Sequence, residues 1–416
     1  MGIVGSLSLQ EAISAMRNGQ IIIVTDDEDR ENEGDLVCAA EFATAENVNF
    51  MARYGRGLIC VALPEELAGR LDLPPMVAEN TSRHHTAFTI SVDAKEKTST
   101  GISAYDRSVT ITRLADPAAK SSDFIRPGHV FPLVAKKGGV ISRPGHTEAV
   151  VDLMQLAGLR PVGVLCEIID DDGTMARGAG LRAFAEKHKL PRLAISELLS
   201  FRRNNDTQVE HVDDVSLPSR FGDFRLHVFR HRENHDEHHL AITKGDLRAS
   251  SNALCRIHSE CLTGDVLGSQ RCDCGEQLEH ALAEIGKVEA GILLYMRQEG
   301  RGIGLVNKIR AYALQDNGAD TVEANRELGF PQDMREYYFS AHMLRWFGLE
   351  SVRLMTNNPR KIEALEEFGI AVSERIPIEI PPREDNRFYL QTKKHKMGHL
   401  LAFHSPSKGE KHDQGD

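Results

Sequence analysis

The sequence predicts two domains, an N-terminal layered α+β domain and a C-terminal α/β domain, on three observations. At 416 residues the chain is longer than one hydrophobic core usually organises. Its regular patterns lapse in the polar run Asn204-Asn-Asp-Thr-Gln208, a composition suited to a linker. Beyond that run they start afresh, and apolar strand patterns are separated by helical ones, as in an α/β layer. The expected boundaries are a domain over 1–203, a linker over 204–208, a domain over 209–402 and a mobile polar tail over 403–416.

Ser8 and Glu11 have capping-box spacing, Leu9, Ile13 and Met16 share one helical face, and Gly19 is the stop, so a helix opens the chain. Ile21-Ile-Ile-Val24 reads as a buried strand, and Leu36-Val-Cys-Ala-Ala40 as a second one beyond an acidic turn. Helical and strand patterns continue to Glu197–Arg203. After the linker, Phe221–Phe229 alternates like a strand, and Gly291–Tyr295 and Val352–Met355 read as interior strands separated by helices. Asn358 is placed to cap a helix with Pro359 at its first position and Gly369 at its stop. Thr356 and Lys361 then flank a helix N-terminus, which attracts phosphate.

A net charge of −11 excludes bulk attraction to nucleic acid or to an anionic membrane, so phosphate recognition must come from local arginine and lysine clusters. Seven cysteines at irregular spacing, with Cys38, Cys60 and Cys166 in apolar strand-like runs, argue against a disulfide framework and for a reducing compartment. The N-terminus lacks a basic region followed by an apolar core, and no apolar run has bilayer-spanning length. A cytoplasmic protein is the expectation.

Cys261, Cys272 and Cys274 fall within one short stretch, with no fourth cysteine or metal-spaced histidine close behind. Three such thiols suit Zn²⁺ better than a disulfide, and three protein ligands leave a tetrahedral ion one position for water, as in hydrolytic sites. The spacing leaves two alternatives open: a closed structural site with a further ligand such as His258, or three reduced thiols in a turn.

In the first half, Asp26-Asp-Glu-Asp-Arg-Glu-Asn-Glu-Gly-Asp35 crowds seven carboxylates onto one turn. Carboxylates that close repel one another unless they splay into water or share a cation, and oxygen ligands favour Mg²⁺ or Mn²⁺ over zinc. Taken alone, the segment reads as a solvated acidic loop. Downstream, Arg126-Pro-Gly-His129 and Arg143-Pro-Gly-His146 are expected to form two loops, each with a cation, backbone N–H groups around glycine and an imidazole. Such a set can hold a sugar phosphate and move protons.

The acidic turn, Gly57-Leu-Ile-Cys60, the two Arg-Pro-Gly-His segments and Gly163-Val-Leu-Cys-Glu167 together resemble 3,4-dihydroxy-2-butanone 4-phosphate synthase over residues 1–203. The resemblance implies a Mg²⁺- or Mn²⁺-dependent lyase converting D-ribulose 5-phosphate to formate and a four-carbon phosphate. By position it implies Glu31 and His146 as metal ligands. Arg30, Glu31, Asp35, Glu167 and the loop Arg143, Pro144, Gly145, His146 and Thr147 hold substrate, and His129 and Glu167 move protons. The chemistry fits, because enolising and rearranging a ketose needs a clamp on vicinal oxygens and groups that both give and take protons. The chain departs from the family at His85, where glycine is common; an imidazole there is expected to narrow the pocket if its loop lies near substrate. Cys60 is expected to be a buried structural thiol.

Anion-binding parts surround the cysteines of the second half: Arg256, Gln298-Glu-Gly-Arg-Gly-Ile-Gly304 and the helix start near Lys361. The glycines do not fit the dinucleotide fingerprint, so a triphosphate is the better ligand class. Arg256–Glu260, the three cysteines, Arg297–Arg301, Lys308–Gln315, Asp320–Asn325 and Thr356–Pro359 resemble GTP cyclohydrolase II over residues 209–402. The resemblance implies hydrolysis of GTP to 2,5-diamino-6-(ribosylamino)pyrimidinone 5′-phosphate, formate and pyrophosphate, with one Zn²⁺ per subunit on Cys261, Cys272 and Cys274 and Mg²⁺ on the GTP phosphates. It implies GTP contacts from Arg256, Ile257, His258, Ser259, Glu260, Gln277, Glu299, Gly300, Arg301, Thr321, Thr356 and Lys361. Glu299 suits guanine N–H donors, and Arg301 and Lys361 suit phosphate. Asp333 matches a proposed general base, Arg335 a proposed nucleophile at the α-phosphorus and Tyr312 a further catalytic residue. An arginine, with a pKa above about 12, suits charge stabilisation better than attack.

Together the two resemblances imply a fused bifunctional enzyme of riboflavin biosynthesis, a homodimer whose partners are D-ribulose 5-phosphate and GTP, with neither nucleic acid nor membrane among them. Two rivals remain: one live domain with the other kept as a dimerisation platform, and a zinc-dependent GTP-binding regulator that does no chemistry.

Overall fold

The computed structural model describes residues 8–401, apart from Asp29, Gln208, Glu233, Ser251 and Gln332 and the side chains of Thr321 and Phe388. The tail over 403–416 lies outside the described residues. The chain splits into two compact units, Met1–Asp206 and Thr207–Asp416, each built on one seven-stranded mixed sheet.

The first sheet comprises β1 (Ile22–Thr25), β2 (Gly34–Ala39), β3 (Cys60–Pro64), β4 (Val92–Ala94), β5 (Phe124–Ala135), β6 (Gly163–Glu167) and β7 (Arg192–Ala194), in the order β4-β5-β3-β6-β2-β1-β7. The pairs β3–β5 and β1–β7 are parallel and the others antiparallel. Its central strands are buried on both faces. Leu36, Cys38, Val61 and Leu63 enter one apolar cluster, while Val37, Ala39, Cys60 and Ala62 enter another, as period-2 alternation requires. Helix Leu9–Arg17 covers the second cluster with Leu9, Ile13 and Met16. Its capping box closes as the sequence predicts: the Ser8 N–H donates to Glu11 at 2.8 Å, and Gly19 turns the chain at φ +67°.

Helix Ile195–Asn205 runs through Asn204 and Asn205, so the polar run over 204–208 begins helical rather than extended. The next strand starts at Val209. The second sheet comprises β8 (Val209–Ser219), β9 (Gly222–His231), β10 (His238–Lys244), β11 (Ala253–Ser259), β12 (Gly291–Met296), β13 (Ser351–Met355) and β14 (Ala371–Ile376), in the order β14-β13-β11-β12-β10-β9-β8. One side of it is an antiparallel meander; from β12 to β14 the neighbours run parallel. Cys255, Ile257 and Leu294 face one cluster and Leu254 and Leu293 the other. Asn358 caps helix Pro359–Glu367 by accepting from the Arg360 N–H at 3.1 Å. Among the described residues, no helix is long and apolar enough to cross a membrane.

Candidate active sites

In the first unit, the acidic turn links β1 to β2 and is organised by Asp26. Its Oδ1 accepts from the Glu33 N–H at 2.9 Å, and its Oδ2 from the Glu31 N–H at 3.1 Å and from Arg30 at 2.8 Å. The turn therefore points its carboxylates in different directions, and only some of them enter the cavity. Glu31 faces His146, with Oε2 4.0 Å from Nδ1. Donor atoms of Asp26, Glu31 and His146 all lie within 4.8 Å of one another, so Asp26 stands beside the two residues expected from sequence as ligands. His146 begins helix His146–Leu156; burial lowers its pKa, and its Nε2 is buried without a partner.

Arg30, Glu31, Asp35, Arg143, His146, Thr147 and Glu167 line this cavity together. Asp35 and Glu167 sit opposite each other on β2 and β6. Burial raises both carboxyl pKa values, and for Asp35 the nearby charge of Glu167 adds to the effect. The Leu58 N–H donates to Glu167 at 2.8 Å. Gly57 is needed beside it, because a Cβ there would lie 2.5 Å from Glu167. Cys60 also lines the wall; burial pushes its thiol pKa well up, so it is an inert thiol. Pro144 and Gly145 shape the loop from behind and do not line the cavity.

The two Arg-Pro-Gly-His segments are not equivalent. Arg143 bonds Glu148 at 2.6 Å and the His84 carbonyl at 3.0 Å on the cavity wall. The earlier segment bulges out of β5 (Phe124–Ala135): β4 pairs with Ile125 and Val130 and skips residues 126–129, and the Gly128 and His129 N–H groups donate to Ser91 Oγ and Asp93 Oδ1 instead. Arg126 is spent on carbonyls of Leu71, Ser121 and Phe124. His129 stands outside the cavity lining, its Nδ1 2.7 Å from Asp93 Oδ2. His85 is exposed and outside the lining as well, so it does not narrow the pocket; its neighbour His84 approaches Glu31 at 3.7 Å.

In the second unit, Cys261 follows β11 and Cys274 opens helix Cys274–Lys287. The Cys261 and Cys272 sulfurs are 3.6 Å apart, and all three Sγ atoms lie within 4.8 Å of one another. That is too long for an S–S bond and close to the roughly 3.8 Å edge of a tetrahedral Zn–thiolate site with 2.3 Å bonds. Among the described residues no fourth ligand joins them. His258 instead places Nε2 3.1 Å from both oxygens of Asp265. The Cys272 and Cys274 thiols, together with Lys308 at 3.1 Å, hold Cys261 as a thiolate well below its ordinary pKa.

The cavity beside the thiols is lined by Arg256, His258, Ser259, Glu260, Gln277, Glu299, Gly300, Arg301, Tyr312, Arg335, Thr356 and Lys361. Ile257 is a core side chain whose carbonyl accepts from Lys361 at 2.8 Å. Asp333 stands behind Arg335 rather than on the wall. Thr321 opens helix Thr321–Glu327, and its side chain lies outside the described residues. Glu299 already accepts from the N–H groups of Leu262 and Gly300 and from Lys308 at 2.7–2.9 Å, which leaves it little capacity for a further donor. Tyr312 Oη is 3.3 Å from Thr263 Oγ1.

Four buried nitrogens of this wall, Arg256 Nε, His258 Nδ1, Arg301 Nη1 and His399 Nε2, have no partner among the described residues. Arg301 is held at φ +63°, a strained conformation for a non-glycine residue. Burial, with Arg256 and Arg335 beside it, pushes the Lys361 pKa well down. Sequence reasoning missed Lys308 and Asp265, and also Tyr389, Lys393 and His399, which reach the wall from residues 387–399. The basic cluster Lys393-Lys-His-Lys396 is the one local sign of that last group.

A family model for 3,4-dihydroxy-2-butanone 4-phosphate synthase matches residues 10–201, and one for GTP cyclohydrolase II matches residues 210–377. The riboflavin biosynthesis protein RibBA of Bacillus mycoides strain KBAB4 is 53% identical over 394 residues, covering 94% of this chain and 98% of that one. RibBA of Bacillus subtilis strain 168 is 54% identical over 396 residues, with 95% and 99% covered. The solved structure of RibBX, a two-domain 3,4-dihydroxy-2-butanone 4-phosphate synthase from A. baumannii, matches with a TM-score of 0.68 at 35% identity, covering 89% of this chain and 99% of that one. The chain belongs to the bifunctional RibBA family, enzymes of riboflavin biosynthesis that join a 3,4-dihydroxy-2-butanone 4-phosphate synthase domain to a GTP cyclohydrolase II domain.

Proposed function

We propose that each reaction takes place in the cavity of its own unit: conversion of D-ribulose 5-phosphate to 3,4-dihydroxy-2-butanone 4-phosphate and formate beside Glu31 and His146, and GTP ring opening beside the three cysteines. The observation that carries the assignment is that each cavity has its own set of converging metal donors, oxygen-rich in one and all thiol in the other. Oxygen donors with one imidazole suit Mg²⁺ or Mn²⁺, and thiolates suit Zn²⁺.

For the first reaction, Glu31 and His146 would hold the divalent ion, with Asp26 close enough to join them. The 4.0 Å approach of His146 Nδ1 to Glu31 Oε2 supports this. Bound there, the ion supplies a clamp on the vicinal oxygens of the sugar. Arg30, Arg143 and Thr147 bind and orient the phosphorylated substrate, and Asp35 and Glu167, with pKa values raised by burial, take and return protons. His129 is the remaining acid–base group, and it lies outside this cavity in its own chain. In this reading it serves the site of a second copy in a homodimer.

For the second reaction, Cys261, Cys272 and Cys274 would hold one Zn²⁺, which supplies Lewis acidity for hydrolysis at guanine C8. Lys308 stabilises the Cys261 thiolate and orients Glu299. The unpaired donors of Arg256 and Arg301, with Lys361 and Arg335, receive the Mg²⁺-bound triphosphate. A buried donor without a partner costs about 1–3 kcal/mol, and an anionic ligand relieves that cost. A bound phosphate would offset the burial that lowers the Lys361 pKa.

Formate release from each substrate, measured separately with Glu31→Ala and Cys272→Ser, tests the division. Each substitution is expected to abolish one activity and spare the other. Loss of both activities from either change overturns the assignment.

A further inference from the structure

We propose that His211, Asp214 and His227 form a separate binding site for a transition-metal dication of the Zn²⁺ class, away from both cavities. The three donors lie on the hairpin of β8 and β9. His211 Nε2 is 3.2 Å from His227 Nδ1, and Asp214 Oδ2 is 3.8 Å from the first and 3.6 Å from the second. A point equidistant from the three atoms lies about 2.1 Å from each, the length of Zn–N and Zn–O bonds.

The backbone is built for this convergence. Residues three apart on a regular strand point to opposite faces. Here the register shifts between His211 and Asp213, so His211 pairs with Phe229 and Asp214 with His227, and all these side chains share one face. Bulges re-aim side chains in this way.

The surrounding groups fit as well. Thr243 Oγ1 donates weakly to the Arg225 carbonyl at 3.4 Å, which leaves its lone pair to accept from His227 Nε2 at 3.1 Å. That hydrogen bond fixes the tautomer with the His227 Nδ1 lone pair facing the triangle, the usual outer support of a metal-binding histidine. Burial lowers the His227 pKa, which favours the neutral imidazole. Arg225 engages Asp214 Oδ1 and leaves Oδ2 to the triangle. Two imidazoles and one carboxylate select Zn²⁺, Ni²⁺, Cu²⁺ or Fe²⁺ over Mg²⁺. When an ion binds, the hydrogen shared between the two ring nitrogens leaves that line and the His211 proton moves to Nδ1. No cavity opens beside these residues in either lining described above, so the ion pins the edge strand β8 to β9 rather than doing chemistry.

Trp346, the only tryptophan of the chain, stacks on His211 with ring centres 4.4 Å apart and planes at 20°. It reports on the site directly. Ni²⁺ titrated into the metal-stripped full-length chain is expected to quench Trp346 fluorescence by more than half, saturably, with Zn²⁺ competing. Quenching should persist in Cys272→Ser and in Glu31→Ala. In His211→Asn and Asp214→Asn it should need at least about tenfold more Ni²⁺, while both formate activities remain as proof of folding. Quenching unchanged in those two variants overturns the site. Zinc counting keeps the proposal falsifiable if either variant fails to fold: the Cys272→Ser/Glu31→Ala double variant is expected to retain one Zn²⁺ per chain after dialysis, and none retained overturns it.

Discussion

Arg335 closes a two-point fork on Asp333, with Nε donating to Oδ1 at 2.9 Å and Nη2 to Oδ2 at 2.7 Å. Nη1 faces Ser259 Oγ at 3.3 Å, so every guanidinium nitrogen is engaged. Burial opposes the positive charge, but Tyr337 and Asp333 more than offset it and raise the pKa; of these two, only the carboxylate is charged near neutral pH. An arginine held in this way suits stabilising phosphate charge better than attacking phosphorus. With GTP labelled on the α-phosphate, no label is expected to stay on the protein during turnover. Arg335→Lys keeps the charge but not the fork, and is expected to lower the GTP cyclohydrolase kcat by about 10²-fold or more with the lyase unchanged. A labelled adduct in the unsubstituted chain that disappears in Arg335→Lys would establish the nucleophile instead.

His399 gives the GTP cavity a signature in pH. Burial, then the charges of Lys393, Lys361, Arg335 and Arg301, push its pKa down to about 3. The unfolded chain, with an ordinary histidine pKa near 6.5, therefore binds the proton first as pH falls. Stability contributed by neutral His399 is complete above the unfolded value and is lost as pH drops from there toward 3. Urea midpoints are expected to decline between pH 7 and pH 5, and less steeply in His399→Gln. Equal slopes in the two proteins would refute the shift.

His85 occupies the left-handed region at φ +50° while its side chain is exposed. The family's usual glycine thus has a backbone reason and not a pocket reason. His85→Gly is expected to relieve about 1 kcal/mol of strain, partly offset by the freer unfolded chain, and to leave the lyase KM unchanged. A raised melting temperature without a kinetic effect is the outcome to look for. A change in KM would return His85 to the substrate pocket.

Local signals were legible in the sequence wherever they act locally. The capping box at Ser8 and the cap at Asn358 act within a few residues, and the Cys261–Cys274 spacing lies within one short stretch of chain. Asp26 was one of seven equivalent carboxylates, and only the path of the turn, set by β1 pairing with β2, selects it as a near-ligand. Lys308 meets Cys261 across 47 residues, a distance no periodicity encodes. Arg126-Pro-Gly-His129 and Arg143-Pro-Gly-His146 share four residues yet differ in conformation. The first is a bulge held between the pairs that Ile125 and Val130 make with β4, and the start of helix His146–Leu156 bends the second.

Asp93 is the group on which the reach of His129 depends. Its Oδ1 accepts from the His129 backbone N–H at 2.8 Å and its Oδ2 lies 2.7 Å from Nδ1, so the ring proton sits on Nδ1 and, in the proposed proton-transfer role of His129, Nε2 would be the atom that exchanges protons with substrate. Gly101 closes the pair from behind, since a Cβ there would lie 2.1 Å from Asp93 Oδ2. Asp93→Asn keeps the shape but offers an N–H to Nδ1, which forces the proton onto Nε2. The lyase kcat is expected to fall by about 10²-fold, with KM within a few-fold, the limb of the pH–rate profile that belongs to His129 displaced, and GTP cyclohydrolase turnover intact. Asp93→Glu should recover part of the rate, because it restores a carboxylate acceptor. An unmoved pH profile in Asp93→Asn, with kcat lowered all the same, would mean that Asp93 merely supports the strand, and that the proton passes through some group other than His129.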